Sequence, residues 1–160
     1  MGTTIRRFLV FTCLIVLSAM SLTGCGERAE TRIGVTQFIE HPQVDQVREG
    51  FFERMEELGY HPGDRFEYEY ESAHSDMVVA GQIALRFVDM PVDLIFSVLT
   101  PSTQACARAA EGTGIPVVFG AVTDPVGANI VSSLDAQTRG VTGVSDAVPV
   151  ADQIDLLLEV

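Results

Sequence analysis

Apolar and polar positions along this chain fall into short runs whose period switches between two and about 3.6. Residues 32–37 carry Ile33 and Val35 with a glycine between them and read as a first strand, followed by a loop at 38–41. From Pro42 the apolar residues Val44, Val47, Phe51, Met55 and Leu58 recur three and four apart. That spacing places them on one helical face, with Arg48, Glu49, Glu53 and Glu56 on the other. Gly59 is placed to end the helix in a left-handed cap, and Pro62-Gly63-Asp64 reads as a turn. Phe66, Tyr68 and Tyr70 then alternate strictly with Glu67, Glu69 and Glu71. This predicts a second strand with one buried face and a charged face suited to a sheet edge. Ser75 is predicted to cap a helix running to about residue 88, with Met77, Ala80, Ile83, Ala84 and Phe87 toward the core. Residues 92–99 are almost continuously apolar, as in an interior parallel strand covered on both faces. A third helix from Thr100 carries Ala105, Ala109 and Ala110 and ends at Gly112 and Gly114. A fourth strand follows at 115–120, a short helix from Asp124 toward Leu134, a weaker fifth strand at 140–144 and a last helix from 150. Ile154, Leu157 and Leu158 form the inner side of that last helix.

Strands alternating with helices predict an α/β fold, a doubly wound parallel five-stranded sheet of order 2-1-3-4-5 with the glutamate-rich strand at one edge. Three connections share one punctuation: His41-Pro42, Thr100-Pro101 and Asp124-Pro125. Proline suits the first turn of a helix because an N–H there would have no partner in any case. In a parallel sheet these helix N-termini gather on one edge, where open α/β sheets bind ligands.

Composition adds a second layer at the N-terminus. Arg6-Arg7, an apolar run at 8–17 and small residues leading to Cys25 have the order of an export signal. The apolar run falls short of the ~20 residues that span a bilayer. Leu22-Thr23-Gly24-Cys25 looks like a lipobox, in which Cys25 becomes the lipid-modified first residue. A plain secretory signal or an N-terminal helix are the alternatives. The expected division is a lipoprotein signal peptide at 1–24, a tether at 25–31 and a domain from residue 32. Cys106 is then the only cysteine left in the domain, and a lone cysteine in a helical pattern is expected to be a small buried apolar residue.

All ten basic residues are arginine. Without Arg6 and Arg7, eight basic residues face 22 acidic ones, a net charge of −14. Such a chain does not suit nucleic acid, which needs a basic surface. The absence of lysine excludes a P-loop and a pyridoxal-phosphate Schiff base. The sequence ends at Glu159-Val160 within a helical pattern, and we therefore expect the N-terminal part of a longer protein.

Four turns are expected to converge at the sheet edge: 37–41, 100–103, 123–124 and 145–146. Helix N-termini with Thr100, Ser102 and Thr103 suit a carboxylate or phosphate. Glu40, Asp124 and Asp146 suit an ammonium group. Together they match a zwitterion such as an amino acid. Thr100 and Asp124 can equally be N-caps, Glu40 a solvated loop residue, and Ser145 and Asp146 the shape of a strand exit. His41 has no second histidine at metal spacing, so no metal site is expected. No Gly-x-Ser-x-Gly elbow, dinucleotide fingerprint or adjacent Cys/His pair occurs, so neither an enzyme nor a cofactor is expected.

The segments Ile-Gly-Val-Thr-Gln-Phe-Ile-Glu-His-Pro at 33–42, Pro-Val-Val-Phe-Gly-Ala-Val-Thr-Asp-Pro at 116–125 and Val-Thr-Gly-Val-Ser-Asp at 141–146 resemble those of ABC-transporter substrate-binding lipoproteins of the tryptophan or aromatic amino-acid type. The resemblance implies one lobe, residues 32–146, of a type I periplasmic-binding fold, with 147–160 starting the crossover to a second lobe. It implies ligand contacts near Gln37, Glu40, Thr100, Ser102, Thr103, Thr123, Asp124, Ser145 and Asp146. It also implies an amino-acid-like solute, a permease and an ATPase as partners, and a lipid anchor at the cell envelope. A ligand-sensing module for a signalling partner is the alternative.

Overall fold

A computed structural model describes residues 31–135 and 140–159. The expected signal peptide, Cys25 and all of the tether except Thr31 lie outside the described residues. Nine elements follow in order: β1 (Thr31–Gln37), α1 (Pro42–Glu57), β2 (Phe66–Ser72), α2 (Met77–Asp89), β3 (Leu94–Val98), α3 (Thr100–Ala109), β4 (Val117–Gly120), β5 (Val141–Val144) and α4 (Val150–Leu158). The five strands are all parallel, in the order β2-β1-β3-β4-β5. The predicted fold and the edge position of β2 are both as the sequence suggested.

Alternation along the central strands builds two cores. Ile33, Val35, Phe66, Phe96 and Val98 pack under the Val44, Val47, Phe51 and Met55 stripe of α1. The opposite face takes α2 and α3, where Ile83, Phe87, Ile95, Cys106 and Val117 are buried together. Helices on both sides explain why residues 94–98 are nearly all apolar. Close packing fixes one residue type in β1. A Cβ on Gly34 would stand 2.8 Å from the Phe87 ring, so only glycine lets α2 settle there. The Cys106 thiol is fully buried, and its pKa is pushed up from 9.0 to about 12 by that burial.

Several local expectations change. Asp76, not Ser75, caps α2, its Oδ1 accepting from the N–H groups of Val78 (2.7 Å) and Val79 (3.2 Å). Ser75 itself has a left-handed backbone, φ 66°. Met77 therefore starts the helix on its outer side and is 56% exposed, as is Leu58 beyond the end of α1. Arg48 leaves the outer face of α1 and reaches Gln37. The charged face of β2 is partly covered, because Arg86 of α2 pairs with Glu69 and Glu71.

The helix expected from Asp124 shrinks to a single turn. Ile130 N–H donates to Pro125 O and Asn129 N–H to Val126 O, both at 2.9 Å, around a left-handed Asn129 (φ 56°). That pair of bonds is a Schellman stop, which ends a helix as soon as a residue accepts the left-handed region. Gly59 closes α1 with the same pair of bonds, as expected. Finally, α4 forms but has no buried residue, and Ile154, Leu157 and Leu158 are all exposed instead of facing inward.

Candidate functional site

Parallel strands deliver their C-terminal ends to one edge of the sheet. The turns after β1, β3, β4 and β5 are therefore neighbours, and all nine residues expected at the ligand edge lie in or beside these turns. The structure separates them by accessibility. Glu40, Thr123, Asp124 and Asp146 are exposed, and Thr100 and Ser145 are half-buried. Gln37, Ser102 and Thr103 are buried.

The turn before α3 is unusual. Leu99 occupies the N-cap position with φ 73° and ψ 155°, a region favourable only to glycine. Such a backbone costs on the order of 1–3 kcal/mol and persists where the surroundings enforce it. Here the surroundings are Leu99 N–H bonded to Gly120 O (3.1 Å), and Leu99 O bonded by Thr103 N–H (3.1 Å) and Thr103 Oγ1 (2.9 Å). Since Thr103 Oγ1 donates its proton to Leu99 O, the 2.9 Å bond to Ser97 has Ser97 as donor. Thr103 is thus committed to holding the turn.

Thr100 becomes the first helical residue, not the cap, and no side chain caps α3. In contrast, α1 is capped by His41 Nδ1 (3.3 Å to Gln43 N) and α2 by Asp76. Pro101 has no N–H, and the N–H groups of Thr100 and Ser102 have no hydrogen-bond partner among the described residues. Ser102 Oγ is buried and also lacks one. Buried hydroxyls are normally bonded, so an orphan beside an uncapped helix start marks a place where a partner is wanted. An anion there would meet the helix dipole as well.

The expected acidic residues lie in the other turns. Asp124 Oδ1 accepts from Gly127 N–H (2.8 Å), so Asp124 does cap its own turn. Ser145 Oγ donates to Thr123 O (3.1 Å), joining the turns after β4 and β5. Glu40 stands 3.7 Å from His74 Nδ1. Both N–H donors of Gln37 and one lone pair of its carbonyl are engaged with its own chain. Its Nε2 donates to Ile39 O (3.0 Å) and Asp45 Oδ1 (2.7 Å), and its Oε1 accepts from Arg48 (2.9 Å).

Sequence reasoning missed Leu99, Ala121 (φ 54°) and His74 (φ 48°), three non-glycine residues with left-handed backbone at this edge. Leucine and alanine carry no sign of that conformation. It also missed Asp45 and Arg48, although their spacing of three on one helix was visible. A cavity of about 580 Å³ opens elsewhere, between α3 residues such as Arg108 and the segment at 128–132, and none of the expected ligand residues lines it. We place the site at the sheet edge because the orphan polar groups are there. Among the described residues no group of three or more His, Cys, Asp or Glu could hold a metal, and no helix is long and apolar enough to cross a membrane.

This topology, a parallel sheet of order 2-1-3-4-5 with helices on both faces, is one lobe of a type I periplasmic-binding fold. A type 1 periplasmic binding protein from Bordetella pertussis shares the fold at 15% identity and a TM-score of 0.54. Residues 32–160 match the family model described as ABC transporter substrate binding protein, and the chain belongs to that family. It is 34% identical to a tyrosine-binding protein of Clostridioides difficile (strain R20291), over 89% of this chain and 45% of that one. A conserved domain protein from Vibrio cholerae O1 biovar El Tor matches at 38% identity and a TM-score of 0.76, covering 81% of this chain and 43% of its own. An ABC domain from Streptococcus pneumoniae, solved in complex with L-Trp, matches at 33% identity and a TM-score of 0.75, over 80% and 42% of the two chains. The chain thus spans under half the length of these relatives.

Proposed function

We propose that this chain is the ligand-binding lobe of an extracytoplasmic solute-binding component of an ABC transporter, one that takes an amino-acid-like, preferably aromatic, solute. The observation that carries the reading is the uncapped start of α3 beside the buried, unpartnered Ser102 hydroxyl. The N–H groups of Thr100 and Ser102 and the Ser102 hydroxyl receive the α-carboxylate. Hydrogen bonds to a charged group contribute about 1.5–3 kcal/mol each. Glu40, Asp124 and Asp146 face the ammonium group from the neighbouring turns. The relatives' tyrosine and L-Trp support the aromatic preference. The opposite wall of the cleft, in this reading, belongs to sequence that the relatives carry outside the matched region. Cys25 would anchor the protein by lipid at the cell envelope, where it delivers its solute to a permease and ATPase. It performs no chemistry on the solute.

Calorimetry with L-tyrosine, L-tryptophan, tyramine and simple anions tests this. Saturable heat with an α-amino acid, and none with tyramine, is expected. Absence of heat with every α-amino acid would sink the amino-acid reading. Loss of membrane association on Cys25→Ala tests the anchor.

A further inference from the structure

Gln37 has no surface open to solvent, although it ends the interior strand β1 at the expected ligand edge. A carboxamide has two N–H donors and two acceptor lone pairs. Both donors are used, on Ile39 O and Asp45 Oδ1, and one lone pair accepts from Arg48. Arg48 lies 3.5 Å from Asp45, one helical turn away on α1. Its guanidinium also sits over the Tyr70 ring of β2, 4.5 Å from the centroid. Burial raises the Tyr70 pKa, partly offset by Arg48, so the ring is a neutral platform for that cation. One network therefore joins β1, α1 and β2, and its one bond to the connecting loop is to the Ile39 carbonyl. The next residue is Glu40.

We propose that Arg48 is a positioning residue for the ligand edge. It fixes the Gln37 carboxamide, which holds the Ile39 carbonyl and thereby sets where the Glu40 carboxylate stands. Arg48 touches no ligand. An ion pair with Asp45 alone would need no third partner. The Gln37 bridge instead spends every donor of a buried carboxamide on the loop and on α1. The proposal rests on the reading of this edge as an amino-acid site, with Glu40 on the ammonium side.

Two measurements on wild type, Arg48→Met and Arg48→Lys test it. Amide hydrogen exchange is followed without ligand at 38–41, with β3 and α3 as internal references. Calorimetry compares L-tyrosine with its analogue lacking the ammonium group, 3-(4-hydroxyphenyl)propanoate. Arg48→Met is expected to speed exchange in the loop only. It should weaken L-tyrosine about tenfold, the worth of roughly one polar contact, and leave the analogue unchanged. Glu40→Gln should do the same to L-tyrosine and add little on top of Arg48→Met, because both remove one coupled interaction. Arg48→Lys should restore part of the affinity. Equal weakening of both ligands, or additive effects of the two substitutions, would show a merely structural arginine and overturn the proposal. Unchanged loop exchange in Arg48→Met overturns it as well. If wild type binds neither compound, the amino-acid reading fails, and the exchange result still upholds or overturns the hold of Arg48 on the loop.

Discussion

Strands β1, β3 and β4 lie between helices on both faces, whereas β5 and α4 carry apolar residues that no other described residue buries. Ile95, Val98 and Val117 are fully buried. Val144 and Leu157, no less apolar, are 72% and 76% exposed. The two regions differ in what lies over them, not in local pattern. Apolar periodicity specifies which side of an element wants to be covered; the cover itself is a property of the rest of the structure. The edge proposed to bind the ligand belongs mainly to the first region. Its turns can hold strained backbone such as Leu99 because packed strands stand behind them.

Core substitutions should separate the two regions most widely. Phe87→Ala is expected to cost about 3–5 kcal/mol in urea unfolding, the range for emptying a buried aromatic site. Leu157→Ser should stay within about 0.5 kcal/mol and reduce self-association, since exposed apolar patches are sticky. Similar costs for both would break the comparison.

Cys106 gives a pH signature of the buried region. Its thiol keeps its proton in the folded chain up to about pH 12, but in the unfolded chain only to about 9.0. The unfolded state therefore gains charge first as pH rises, and this stabilising contribution, complete below pH 9, is lost through pH 12. Stability should fall by about 1.4 kcal/mol per pH unit more in wild type than in Cys106→Ala across that window. Equal slopes in the two would show an accessible thiol.

Glycines set a buried position against an exposed one. Gly34→Ala should destabilise by about 1–3 kcal/mol, because its new methyl meets the Phe87 ring. Gly50→Ala, in α1 with nothing within 4 Å of the added carbon, should instead stabilise by about 0.5–1 kcal/mol. A small effect on folding is expected at the candidate site as well. Ser102→Ala removes a buried hydroxyl that has no partner, so unfolding stability should hold or rise slightly, within about 1 kcal/mol. The same change should weaken L-tyrosine binding. Loss of stability together with unchanged binding would mean that the hydroxyl serves the fold.

Much of the fold was legible because period two at residues 66–71 and helical spacing in α1 identify a strand and a helix, although burial follows the β2 pattern only in part: Phe66 is buried and Tyr68 is 46% exposed. The strand order followed from the charged residues of β2. Element ends were less legible. Asp76 won the cap from Ser75 through its two short bonds, and Asn129 stopped a helix that Asp124 and Pro125 had opened. The gathering of the Pro-marked turns at one sheet edge could be read from the sequence. What could not be read was how each polar residue is spent: Thr103 on the Leu99 turn, Gln37 on Arg48 and Asp45, and Ser102 on nothing. Those assignments turn on how single side chains within a dozen residues of one another are oriented, and that leaves no periodicity.

The start of α3 as the carboxylate seat is most directly tested by amide chemical shifts during a titration with L-tyrosine. The largest changes are expected at Thr100 and Ser102, smaller ones at Glu40, Asp124 and Asp146, and none at Thr142 or Leu157. Shifts confined to Arg108, Asn129 and Ile130 around the separate cavity, with Thr100 and Ser102 unmoved, would contradict it.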